Sequence, residues 1–145
     1  MVDALPTPVR DVALLVARIV LGVVLVAHGA QKFFTNGIDG TATGFEGMGI
    51  PLPTVSAAVV ATVELVGGAL LLLGLGTAVV SLLVVLIMVV AALLVHVGNG
   101  IFVIDGGWEL VGVIAAAALA LAAVGPGRFS VDHAIGARRM SPVPG

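Results

Sequence analysis

The chain contains no cysteine. That excludes disulfides, a thiolate metal site and any sulfur chemistry carried on a thiol of this protein. Charge is also scarce. Only 10% of the 145 residues are Asp, Glu, Lys or Arg, where soluble domains hold about 25%. The formal net charge is -2, so nucleic acid has no electrostatic footing as a partner. Signatures of nucleotide and hydrolase chemistry are missing: no P-loop, no G-x-G-x-x-G after a strand, no G-x-S-x-G and no H-E-x-x-H. Glycine is abundant at 20 residues but follows no G-X-Y period, which excludes a collagen-like chain. What remains is apolar: 60% of residues are hydrophobic and the mean hydropathy is +1.27. A disordered chain and a conventional water-soluble domain are excluded together. The length suits one domain over residues 1–145.

Four hydrophobic runs account for most of the sequence: Val12 to Phe34, Val55 to Leu73, Thr77 to Val97 and Trp108 to Val124. A bilayer core of about 30 Å needs roughly 20 helical residues. In lipid every backbone N–H and C=O must be satisfied within its own element, so long apolar runs become helices rather than open strands. The minimal turn Gly74 to Gly76 forces runs two and three to be antiparallel neighbours. The expected fold is an all-α membrane protein, an antiparallel up-down-up-down four-helix transmembrane bundle. Thr35 to Thr54 reads as a polar, glycine-rich loop, and residues 134–145 as a mobile tail. Ala27 and Gly29 offer the small residues of a signal-peptide cleavage site, but Arg18 interrupts the apolar stretch, so run one reads as a retained span.

Orientation follows from Lys and Arg near the span ends. Arg10, Arg128, Arg138 and Arg139 fall on the side of the termini, and Lys32 alone on the other. Both termini are therefore expected in the cytoplasm, in a cell membrane. Trp108 then reads as an anchor at the outer interface or as a packing residue.

Glu64 stands at the midpoint of run two. An ionised acid at membrane depth costs on the order of 3 kcal/mol, so it must pair, face the protein interior or stay protonated. With the midpoints of runs one and two level, Arg18 lies roughly 7–8 Å to one side of Glu64 and His28 as far to the other. An Arg18–Glu64 pair is the structural expectation; a proton- or ligand-handling carboxylate is the functional one. Ala61 and Gly68 share the face of Glu64 and let another backbone approach it closely. Near the outer boundary a second cluster collects polar groups from three spans: His28, Gln31 and Lys32 at i, i+3 and i+4, His96 and Asn99 after run three, and Asp105 and Glu109 flanking Trp108. Together with Glu64 they could line one pocket able to hydrogen-bond a quinone head group between apolar walls; interfacial solvation of helix ends is the plainer reading. Haem ligation by two histidines, or a metal on His28, His96 and Glu109, has no recognised motif behind it, and no metal or other cofactor is evident.

Several stretches carry a resemblance: RIVLGVVLVAHGAQKFF (Arg18 to Phe34), ELVGGALLLLGLGT (Glu64 to Thr77), HVGNGIF (His96 to Phe102), GGWE (Gly106 to Glu109) and GPGRFSVD (Gly125 to Asp132). In this order and spacing the chain resembles the DoxX family of membrane proteins. The resemblance implies a four-helix membrane fold and places Arg18, His28, Gln31, Lys32, Glu64, His96, Asn99 and Glu109 at the family's recurrent polar positions. Relatives include the small subunit of an archaeal thiosulfate:quinone oxidoreductase and a bacterial membrane component that associates with superoxide dismutase and a sulfurtransferase. The expectation that follows is a membrane subunit of a quinone- or redox-linked assembly, working with other membrane or membrane-associated proteins. On this reading it is no complete enzyme by itself and at most a subunit of an oxidoreductase. A purely structural or assembly-factor subunit, and a small oligomeric transporter or proton conductor, are the alternatives.

Overall fold

The computed structural model describes residues 6–139, and among them every regular element is helical, with no strand. The elements are α1 (Thr7–Thr35), α2 (Gly37–Gly47), α3 (Pro53–Leu73), α4 (Thr77–Asn99), α5 (Glu109–Val124) and α6 (Val131–Arg139). Pro53 occupies the start of α3, where its missing N–H costs nothing. Gly74 and Gly76, at φ +68° and +61°, take the left-handed conformation that closes the turn between α3 and α4.

Three helices are long and apolar enough to cross a membrane: α1, α3 and α4. The fourth run, expected to begin at Trp108, is the 16-residue apolar helix α5. It is about 24 Å long, short of the roughly 30 Å of a bilayer core. Two segments differ from the sequence reading. The expected loop over Thr35–Thr54 contains α2, whose glycines and polar residues conceal it. The expected mobile tail begins instead within the helix α6; residues 140–145 lie outside the described residues.

One apolar core joins the four rods: Leu21 and Leu25 of α1, Leu71 of α3, Val80, Val84 and Met88 of α4, and Ile114, Ala118 and Leu121 of α5. Large apolar side chains such as Val20, Val23, Leu82, Leu86 and Val113 point outward and stay exposed, which is tolerable only where the surroundings are lipid. Glycine sets the register of α1 against α3. A Cβ on Gly68 would stand 2.8 Å from the Gly22 carbonyl oxygen and 2.8 Å from the Val26 nitrogen, and one on Gly29 would collide with the Leu65 nitrogen. The helices touch backbone to backbone, as the Ala61–Glu64–Gly68 face implies. Because Gly29 faces Leu65 in an antiparallel pair, Glu64 is level with Ala30.

Candidate functional site

That register decides the partner of the buried acid. Glu64 is 5% exposed, and Lys32 Nζ donates to its Oε2 at 2.6 Å. The expected Arg18–Glu64 pair is not formed. Arg18 lies twelve residues before Ala30 on the same helix, about 18 Å away along the axis. The expectation of level midpoints fails because close glycine packing slides α3 toward the far end of α1 by about two turns. A pair taken out of water is stable only with good geometry and opposite charge close by; Lys32 and Glu64 meet that condition.

Three side chains of the site sit in widened helical turns. The chain forms π-helical turns over Gln31–Thr35, Val63–Gly67 and Ala92–His96, which carry Lys32, Glu64 and His96 respectively. Such turns are rare inside α-helices and concentrate at functional sites. The Thr41 hydroxyl of α2 donates to the Lys32 carbonyl at 3.2 Å and holds α2 over the first of them.

The ion pair lies at the wall of a cavity of about 570 Å³. His28, Lys32, Glu64 and His96 all line it, as does Ser56; nearly everything else there is apolar, including Phe45 and Met48 of the α2 region, which the sequence reading did not single out. The cavity is a wedge between the N-terminal half of α3 and the facing part of α4. Its lining includes Val55, Val59, Leu86, Val90 and Leu94, all of which remain partly exposed on the outer surface of the helices, so the wedge opens sideways. His96 Nδ1–H donates to the Gly106 carbonyl at 2.6 Å. In the tautomer that donates from Nδ1, Nε2 is the acceptor.

The remaining expected site residues are used elsewhere. Gln31 is exposed, because successive helical residues are 100° apart and Gln31 and Lys32 fall on opposite flanks of His28. The Asn99 amide donates to the Val95 carbonyl at 3.1 Å. Glu109 Oε1 accepts the Val103 N–H at 2.7 Å, and Asp105 is exposed. His28, His96 and Glu109 are not gathered, and no group of three or more His, Asp or Glu able to hold a metal occurs among the described residues.

Arg18 belongs to a second cluster, at the end where α1 begins and where the α3–α4 turn and α6 lie. It is fully buried, hydrogen-bonds the Phe129 carbonyl and faces Gly74, where a Cβ would collide with its guanidinium. The Asp132 carboxylate accepts the N–H groups of Gly76 at 2.8 Å and Thr77 at 2.9 Å, capping α4. Burial pushes the Asp132 pKa up, but the Thr77 and Gly76 N–H groups and the Arg18 charge outweigh it and hold the carboxyl below its ordinary range. Asp132 also donates its own N–H to the Gly74 carbonyl at 3.0 Å. The start of α6 is thereby stitched to the α3–α4 turn. Composition gave no hint of this; only the i, i+7 spacing of buried Asp11 and Arg18 marks an inward polar stripe on α1.

The model of the DoxX family matches residues 13–97. CatD of Bacillus subtilis (strain 168), named as an oxidoreductase, is 35% identical over 85 residues, 59% of this chain and 60% of CatD. The chain thus spans about three fifths of CatD. The inner membrane protein YphA of Escherichia coli (strain K12) is 30% identical over 133 residues, 86% of this chain and 91% of YphA. No solved structure matches the chain. Apolar helices together with similarity to an inner membrane protein identify a membrane protein embedded in a lipid bilayer.

Proposed function

The chain belongs to the DoxX family, and we propose that it is an integral subunit of a quinone- or redox-linked membrane assembly, with the Lys32–Glu64 wedge as the seat of a quinone head group. The observation that carries this reading is a buried ion pair on the wall of an apolar cavity that opens sideways. A lipid-soluble molecule reaches such a cavity from within the membrane, lays its tail against Val59, Leu86 and Val90, and presents carbonyl or hydroxyl oxygens to Lys32 and Glu64. The His96 Nε2 acceptor suits the hydroxyl form. The oxidoreductase designation of CatD supports the redox link; electrons would come from a partner, since this chain brings no thiol. Sites of this kind combine apolar walls with a few placed polar groups.

In this reading α1, α3, α4 and the shorter α5 form a four-pass antiparallel bundle with both termini in the cytoplasm. Arg10, Arg128 and Arg138 support that orientation. The one cation at the other end, Lys32, is engaged by Glu64, which strengthens the bias. The buried apolar side chains of Leu21, Leu25, Leu71 and Val84 between the two polar ends support this reading over proton conduction. The test is a titration of the purified protein with decylubiquinone, read by quenching of its single tryptophan, Trp108, beside cavity-lining Gly107. Saturable quenching that weakens about tenfold in Glu64→Gln, the worth of one charge-assisted hydrogen bond, is expected. Quenching that is linear and identical in the variant would overturn the reading.

A further inference from the structure

A second concavity, of about 530 Å³, lies at the opposite end between the start of α1 and α6. Arg10, Arg128 and His133 line it, and so do Asp11 and Asp132. Arg10 and Arg128 are exposed and form no ion pair among the described residues. Asp11 differs. It is 2% exposed, its Oδ1 accepts the Arg128 N–H at 3.2 Å, and its Oδ2 has no hydrogen-bond partner. A buried carboxylate oxygen without a partner demands a donor, and Asp11 lines the groove from which one can come. The groove sits at the level of Asp11, directly before the first apolar run, which is where phospholipid head groups lie. Val9, Val12 and Val16, at i, i+3 and i+7, expose an apolar stripe beside it along which an acyl chain can run.

We propose that this groove binds a phospholipid head group carrying a primary ammonium: the phosphate diester between the Arg10 and Arg128 guanidiniums, an ammonium N–H donating to Asp11 Oδ2. Of the two acids that line the groove, Asp132 is engaged by the Gly76 and Thr77 N–H groups; the two cations and Asp11 match a phosphate with an attached donor better than they match an anion alone. A choline head group supplies the same phosphate but no N–H, which makes the assignment testable. This site is independent of the wedge and of any quinone.

The experiment is native mass spectrometry of the delipidated full chain offered equal amounts of dioleoyl phosphatidylethanolamine, phosphatidylglycerol and phosphatidylcholine. Ethanolamine lipid is expected to exceed choline lipid about tenfold, the worth of one charge-assisted hydrogen bond. Asp11→Asn keeps the acceptor for the Arg128 N–H and places an amide N–H₂ at the free position, so the preference should vanish. Arg10→Gln with Arg128→Gln, both on the surface, should lower retention of all three lipids without touching the fold. Soluble glycerophosphoethanolamine should displace the lipid and inorganic phosphate should not. Equal retention of ethanolamine and choline lipids, an unchanged preference in Asp11→Asn, stronger retention of the glycerol lipid, or displacement by phosphate would each overturn the proposal.

Discussion

Replacing Glu64 with Gln leaves the Lys32 ammonium facing a neutral amide. Removing one partner of a buried pair costs about 3–5 kcal/mol. The Lys32 side chain keeps 17% of its exposure and that of Glu64 7%, so partial hydration puts this pair at the lower end, about 3 kcal/mol. Lys32→Met should cost a similar amount by stranding the acid. With both replaced, neither charge is stranded, and the loss should fall below that of either single variant, a coupling of about 3 kcal/mol or more. Arg18→Leu combined with Glu64→Gln provides the contrast: the two sites lie about 18 Å apart along α1, and their effects should add within about 0.5 kcal/mol. The assay is reversible unfolding in mixed micelles by SDS titration, followed by Trp108 fluorescence. An additive Lys32/Glu64 double variant, or coupling between Arg18 and Glu64, would refute the register on which the site is built.

Two further outcomes follow from the packing. Gly68→Ala brings a methyl group to 2.8 Å from backbone atoms of Gly22 and Val26, which have no rotamer in which to retreat; a loss of about 1–3 kcal/mol is expected in the same titration, with weaker quinone quenching as Lys32 and Glu64 separate. The depressed Asp132 pKa means that its cap on α4 stabilises the fold fully above the unfolded value of about 3.9 and is lost as pH falls through the lower folded value. Asp132→Asn should therefore melt below wild type at pH 7 and at pH 5, with the gap closing only below pH 4; a gap independent of pH would contradict the ionic cap.

Depth was legible in the sequence; offset was not. Hydropathy located the helical runs, and burial cost marked Glu64 as a residue in need of company. His28, Lys32, Glu64 and His96 do share one cavity. The partner of Glu64 was misassigned because a run of apolar residues reveals its own length but not how far it slides along its neighbour. That offset is set by Gly22, Gly29 and Gly68, whose contacts exist only in three dimensions. Gln31 shared a sequence window with the site but not a helix face. Asn99 and Glu109 satisfied backbone groups of their own loop, a local alternative always open to short polar side chains at helix ends. The π turns left no trace, since no residue type demands them.

Those three turns bear on how this chain tolerates changes in length. A π turn closes its hydrogen bond over one residue more than an α turn, so each is a place where the helix carries a single extra residue. Deleting that residue would restore a regular helix and rotate everything beyond it by about 100°. In α3 such a deletion would swing Gly68 and Leu71 away from α1 while leaving composition and hydropathy almost untouched. A change of length by even one position inside Val63–Gly67 is therefore ruinous to the seat of α3 on α1.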